Sequence, residues 1–194
     1  MRIKEFNPEE VLEKAELLFW QQGYEKTSIQ NLVDTMGISR RSMYDTFGDK
    51  HKLFLLSLNM YYEQTSQEIA NKLDESSNLG SNIKLIFDTY IHHSSKKPVG
   101  CLLVNSATEL SIVDPEAYQK IKFYFRLEND ALLALLERFS DDLLPNTNLV
   151  DVAKTLQNSL IGIRVLAKVN PQVEQLDSIV DHTIKALPWK DNEL

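Results

Sequence analysis

Residues 27–52 read TSIQNLVDTMGISRRSMYDTFGDKHK, and this stretch decides how the chain is organised. Two short segments with helical apolar spacing flank Gly37-Ile38-Ser39, a turn with glycine first and an apolar residue second. Glycine tolerates the positive φ that such a turn requires, and the apolar residue plugs the angle between the helices. This is the outline of a helix-turn-helix, although a helical hairpin of any purpose shares it. Thr27-Ser28-Ile29-Gln30 has capping-box spacing, which starts the first segment at Thr27, and Ser39 caps the second over residues 40–46.

Two features weigh toward nucleic acid. Ser39-Arg40-Arg41-Ser42 puts two guanidinium groups and two hydroxyls on the first turn of the second helix, with Tyr44 following. Recognition helices touch base edges with their N-terminal residues, where Arg suits guanine and hydroxyls suit phosphate. Lys50, His51 and Lys52 then occupy the first turn of the next helix, capped by Asp49, where the dipole disfavours each cation by a few tenths to about 1 kcal/mol. A bound phosphate reverses the sign of that cost.

Outward from this stretch, apolar residues recur at helical spacing almost throughout, and sustained two-residue alternation is absent. An all-α chain of about nine helices follows. The first spans residues 9–22, with Asn7 as cap, Pro8 in the first turn and Gly23 as stop. The fourth runs from Asp49 to near Asp74, and a polar stretch over residues 74–82 separates it from helices at 83–94, 101–112, 115–139, 148–169 and 172–187. The stops are Lys96-Lys97-Pro98-Val99-Gly100, Asp114-Pro115, Leu144-Pro145-Asn146 and Asn170-Pro171.

The chain has 194 residues, 21 basic and 28 acidic side chains, a net charge of −7 and one cysteine. That length supports a core without disulfides or metal, and a single cysteine suits a reducing cytoplasm. The longest apolar run, residues 131–136, is far short of the roughly 20 residues that span a membrane, and the amino terminus lacks the apolar region of a signal peptide. The acidic total excludes a protein that coats nucleic acid or anionic lipid indiscriminately. Its distribution is uneven: residues 1–52 carry eight basic and nine acidic groups, whereas residues 39–52 carry four and two.

The ordered set Leu12, Ala15, Leu18-Phe19, Gly23-Tyr24, Thr27-Ser28-Ile29, Leu32-Val33, Met36-Gly37-Ile38-Ser39, Met43-Tyr44, Phe47, Lys50 and Leu53 resembles the DNA-binding domain of the TetR family of bacterial transcriptional repressors. The resemblance implies a three-helix reading head over residues 1–52 and an effector-binding and dimerisation body over residues 53–194. It implies that Thr27, Ser28, Ser39, Ser42, Tyr44 and Lys50 hold phosphates of double-stranded operator DNA while Arg40 and Arg41 read the major groove. Asp45 departs from the family pattern, and its carboxylate either accepts from a cytosine amine or turns away from DNA.

For the body, the apolar surplus on the last two long helices proposes a homodimer interface through Leu156, Leu160, Gly162, Ile163, Leu176, Ile179 and Val180, with monomer core as the other reading of the same residues. A small-molecule effector of unknown identity is placed among Tyr61, Tyr62, Phe87, Tyr90, Cys101, Asn105, Glu109 and Tyr124. Cys101 opens a helix, where a thiolate is favoured and oxidants could act, yet lone cysteines are commonly buried hydrophobes. Gly100-Cys101-Leu102 also looks like the start of the corresponding helix in electrophile- and oxidant-responsive members of the family. Nucleotide-binding glycine motifs and a nucleophile elbow are absent, and the adjacent His92 and His93 point about 100° apart on a helix, unable to chelate without distant partners. No enzyme activity, cofactor, metal site or membrane association is expected. The expectation is a cytoplasmic, sequence-specific repressor released by effector binding or modification of Cys101 through movement of the fourth helix. The competing expectation is a helical ligand carrier or interaction protein that does not bind DNA.

Overall fold

The computed structural model describes residues 6–74, 77–92, 97–169 and 172–190. Among them are nine α-helices: α1 (Pro8–Gln22), α2 (Ile29–Met36), α3 (Arg40–Phe47), α4 (Lys50–Lys72), α5 (Leu79–Ile91), α6 (Leu102–Leu110), α7 (Pro115–Arg138), α8 (Leu149–Val169) and α9 (Val173–Lys185). A 3-10 turn, Ser140–Asp142, follows α7, and Leu143 pairs with Trp189 in a single antiparallel bridge. No described helix is long and apolar enough to cross a membrane. The expected stop Asn170-Pro171, Lys96 of the break before α6, and His93 lie outside the described residues.

Local chemistry explains most boundaries. Asn7 accepts the Glu9 N–H at the start of α1, with Pro8 in the first turn. Gly37, at φ 69° and ψ 30°, adopts the left-handed conformation between α2 and α3 and donates its N–H to the Val33 carbonyl. The cap of α2 is Ser28, one residue later than the expected Thr27: Ser28 Oγ accepts the Asn31 N–H while the Asn31 side chain accepts the Ser28 N–H, so Asn31 rather than Gln30 completes the box. The start of α5 also differs, at Leu79 instead of residue 83. Asn78 caps it by accepting the Ser81 N–H at 2.8 Å, and buried Asn82 exchanges hydrogen bonds with the backbone of Asp74. What reads as a polar linker is therefore a capped helix start.

The chain packs as two compact units, Met1–Ser66 with Cys101–Ile121, and Gln67–Gly100 with Lys122–Leu194. The first extends well beyond residue 52 because aromatic packing continues along α4. Phe54 lies edge-on to Phe19 with ring centroids 5.2 Å apart, and Tyr61 lies edge-on to Trp20 at 4.9 Å. Leu32, Met36, Met43, Leu53 and Leu58 are buried in the same unit, which fixes α2 and α3 on α1 and the start of α4.

The second unit has one continuous apolar core. It joins Leu79, Ile83 and Phe87 of α5, Leu132 and Leu136 of α7, Leu156, Leu160 and Ile163 of α8, and Leu176, Val180 and Ile184 of α9. This corrects the interface drawn from the sequence: Leu156, Leu160, Ile163, Leu176 and Val180 are buried within their own unit. The surplus apolar surface lies instead at Val165, Leu166 and Val169 of α8 and Ile179 of α9, all exposed, with exposed Gly162 on the same helix. Helical spacing alone does not tell which of two apolar stripes a chain covers with its own residues. Leu160→Ala is expected to cost about 2–5 kcal/mol of stability in urea unfolding, the cost of a core cavity, whereas truncation of exposed Val165 is expected to leave the folding free energy of the chain within about 0.5 kcal/mol.

Candidate nucleic-acid interface

The exposed end of α3 is built by its cap. Ser39 Oγ accepts the Ser42 N–H at 3.1 Å and lies 2.9 Å from Ser42 Oγ, so the two hydroxyls stand together at the helix start. Met43 and Phe47 are buried on the opposite face and hold α3 against the interior, leaving Arg40, Arg41, Tyr44 and Asp45 in solvent. Arg40 lies over the Tyr44 ring, 5.8 Å from its centroid. The Arg41 Nε stands 3.6 Å from Asp45 Oδ2, with both side chains largely exposed. A pair in such solvent is worth about 0.2–1 kcal/mol and opens readily to a better partner. Asp45 thus pairs loosely with the Arg41 guanidinium, which stays almost fully exposed.

Ser28 is exposed at the start of α2, as a phosphate contact requires. Thr27 is not. It is fully buried and its hydroxyl donates to the Gly23 carbonyl at 2.6 Å, closing the turn after α1. Its place among the expected phosphate contacts is corrected accordingly: the hydroxyl is consumed by a backbone carbonyl that would otherwise lack a donor.

Beside α3, the first turn of α4 gathers a cationic and aromatic cluster. Asp49 Oδ1 accepts the Lys52 N–H at 2.8 Å, which caps the helix and offsets part of the cost of its cations. The Lys50 ammonium lies 4.2 Å from the centroid of the Tyr24 ring, a contact worth about 0.5–1 kcal/mol where water has access. The ring keeps the lysine charge un-neutralised while fixing its position. Tyr24 is itself packed on Phe54 at 4.9 Å and meets His51 edge-on. Burial, then the charges of Asp114, Glu25 and Asp49, push its hydroxyl above the ordinary tyrosine value, so it stays neutral.

Two carboxylates that the sequence does not mark for this place hold the cluster. Glu109 of α6 accepts the Tyr24 N–H with Oε2 at 3.0 Å and the Glu25 N–H with Oε1 at 2.8 Å. Gly23, at φ 83°, lets the chain pass close to it: a Cβ there would stand 2.9 Å from Glu109 Oε2. Asp114, at the start of α7, accepts the Glu116 and Ala117 N–H groups with Oδ1, and its Oδ2 hydrogen-bonds His51 Nε2 at 2.7 Å. The Asp114-Pro115 stop is legible as a helix cap, but its second oxygen's partner, 63 residues earlier, is not.

The residues expected to line an effector pocket divide between the units. In the first, Tyr61 and Cys101 are buried, Tyr62 and Asn105 are half-buried, and the Glu109 carboxylate is taken by backbone N–H groups. In the second, Phe87, Tyr90 and Tyr124 are buried, and Tyr90 supports the Arg164 guanidinium 3.9 Å from its ring centroid. Arg164 also makes a two-point ion pair with Glu128, at 2.9 and 3.1 Å. Cys101 is the cap residue of α6, but its thiol makes no capping bond and the residue is 1% exposed, like the buried Leu102, Leu103 and Val104 that follow it, which leaves an oxidant almost no surface to reach in this conformation.

Comparison with known proteins places this geometry. Residues 11–56 match the profile of bacterial regulatory proteins of the tetR family. The uncharacterized HTH-type transcriptional regulator YezE of Bacillus subtilis (strain 168) is 30% identical over 191 residues, covering 96% of this chain and 98% of the relative. The HTH-type transcriptional repressor ComR of Escherichia coli (strain K12) is 26% identical over 192 residues, with 96% and 91% covered. Among solved structures, a cysteine mutant of the TetR family transcriptional regulator CifR, complexed with 26-bp double-strand operator DNA, superimposes with a TM-score of 0.88 at 25% identity over 96% of this chain and all of that one.

The buried and exposed hydroxyls are distinguishable. Thr27→Val is expected to cost about 1–3 kcal/mol in chemical denaturation by leaving the Gly23 carbonyl without its donor. Ser42→Ala is expected to leave stability within about 0.5 kcal/mol, as surface substitutions do.

Proposed function

We propose, from the premise that the chain belongs to the TetR family of bacterial regulatory proteins, how this DNA-binding transcriptional regulator grips and releases its operator. It acts as a cytoplasmic repressor. Arg40 and Arg41 enter the major groove on α3, and Ser28, Ser39, Ser42, Tyr44 and Lys50 anchor the flanking phosphates. Asp45 gives up Arg41 to a matching base, so a poor site must compete with an existing partner. The carrier reading is disfavoured, because a carrier has no use for two exposed arginines beside a ring-positioned lysine.

The observation that carries the release mechanism is the double hold on the Tyr24–Lys50–His51 cluster by Glu109 and Asp114. Glu109 sits on α6 and Asp114 caps α7, so a shift of α6 moves the end of α1 and the start of α4 together. An effector that binds better to the shifted form lowers DNA affinity by its differential affinity for the two forms. This revises the expected route through Cys101: the buried thiol serves as packing, and the transmitting groups are carboxylates.

Two-fold operators call for two heads, and we place the dimer face on the exposed stripe of Gly162, Val165, Leu166 and Val169 with Ile179. Space around Gly162, where an added Cβ would meet nothing within 4 Å, lets a partner helix approach closely.

Binding to the DNA upstream of its own gene, followed by fluorescence anisotropy across a salt series, tests the grip. Lys50→Ala is expected to weaken binding to specific and nonspecific DNA alike and to reduce the log–log salt slope by about one. An unchanged slope removes Lys50 from the phosphate contacts. Val165→Glu is expected to convert a dimer to monomer in light scattering while circular dichroism stays the same, and a persistent dimer moves the interface elsewhere.

A further inference from the structure

Away from the DNA-reading surface, the last turn of α5 faces α9 across three side chains that operator binding leaves unused. His92 Nε2 stands 3.3 Å from Asp177 Oδ1 and 3.9 Å from Asp88 Oδ1, and one donor atom of each residue lies within 4.8 Å of the other two. The Oδ1 atoms of Asp88 and Asp177 are both shielded from solvent, and neither has a hydrogen-bond donor among the described residues. One imidazole N–H cannot serve two carboxylates, and at these positions it hydrogen-bonds to neither. Buried carboxylate oxygens without donors are rare and point to an ion or water at that spot.

The surroundings favour a cation. The cluster sits at the C-terminal end of α5, the negative end of the helix dipole. The nearby Lys84 gives its hydrogen bond to a carboxylate outside the cluster, Asp181 Oδ1 at 2.7 Å, although its charge also acts on Asp88 and Asp177. Asp88 and His92 line a groove of about 400 Å³ together with Lys72, Ser81, Lys84 and Thr89, which leaves room for an ion and its remaining waters. The spacing is also that of ligands: two atoms each about 2.0–2.1 Å from a tetrahedral zinc stand about 3.3 Å apart. His92 and Asp177 already have this separation, and Asp88 Oδ1 stands 3.9 Å from the same imidazole nitrogen.

We propose that Asp88, His92 and Asp177 bind a divalent transition-metal cation of the Zn²⁺ type, with solvent completing the coordination, and that the ion fastens α5 to α9. One imidazole nitrogen with two carboxylate oxygens suits Zn²⁺ better than the all-oxygen cages of Ca²⁺ or Mg²⁺. The sequence alone opposes the idea, because the visible His92-His93 pair diverges on a helix. The fold supplies the distant partner that the pair lacks, bringing Asp177 from 85 positions along the chain. The site is independent of the DNA-binding reading, and its failure leaves that reading intact.

The full chain, stripped with EDTA and dialysed, is titrated with Zn²⁺ against a chromophoric chelator and melted with and without the ion. One Zn²⁺ per chain at this site and a higher melting temperature are expected. His92→Ala and Asp177→Asn are each expected to weaken Zn²⁺ binding by at least about tenfold and to abolish the thermal gain. His92 lies past the last helical turn and is exposed, so its replacement leaves folding intact even if Asp177→Asn does not. Lys84→Met, which breaks the neighbouring ion pair but keeps all three ligands, is expected to preserve or tighten the affinity. Absence of Zn²⁺ binding, or binding that survives His92→Ala unchanged, overturns the proposal.

Discussion

The two oxygens of Glu109 on the N–H groups of Tyr24 and Glu25 are the constraint on which the DNA-facing end of the molecule depends. The chain after α1 must turn sharply for α2 to return against it, and the turn exposes backbone donors at a helix end. A neutral acceptor would satisfy one of them. A carboxylate satisfies both with charge-assisted bonds and ties the turn to α6. From that anchored turn, the Tyr24 ring reaches Phe54 on one side and positions Lys50 on the other, so the placement of the Lys50 ammonium depends on hydrogen bonds from the turn's backbone to a carboxylate of α6.

The charge distribution follows the same economy. An excess of seven acidic groups would repel DNA if it were spread evenly, but residues 39–52 carry a local positive excess at the exposed tip. The acidic groups nearest that tip are already committed: Asp49 caps α4, Asp114 caps α7 and holds His51, and Glu109 binds backbone N–H groups. Asp45 remains in solvent on α3, where its contact with Arg41 is weak.

Several elements were legible because their causes are local. Gly37 needs positive φ, Ser39 caps the helix it precedes, and Asn7-Pro8 opens α1; each depends on residues within one turn of itself. Where the sequence misleads, a longer-range group decides. Thr27 has the right type and place for a phosphate contact, but the Gly23 carbonyl four residues earlier claims its hydroxyl. Residues 74–82 read as linker because they are polar, yet Asn78 and Asn82 spend that polarity on capping and on the Asp74 backbone. The apolar stripes of α8 and α9 are both evident, whereas which of them faces the interior is settled by α5 and α7 packing against them.

The helical class, the helix-turn-helix and the polar set of exposed Ser28, Ser39, Arg40, Arg41 and Tyr44 with half-buried Ser42 and Lys50 were legible along the chain, because hydrophobic period, caps and turn residues act over a few positions. Tertiary structure alone settled which polar groups are spent inside the fold, which apolar stripe is left uncovered, and that Glu109 and Asp114 hold the turn after α1 and the start of α4. It alone brought Asp177 to Asp88 and His92. These are meetings between residues tens of positions apart, and a hydrogen bond or a shared cation depends on separation in space, about which spacing along the chain is silent.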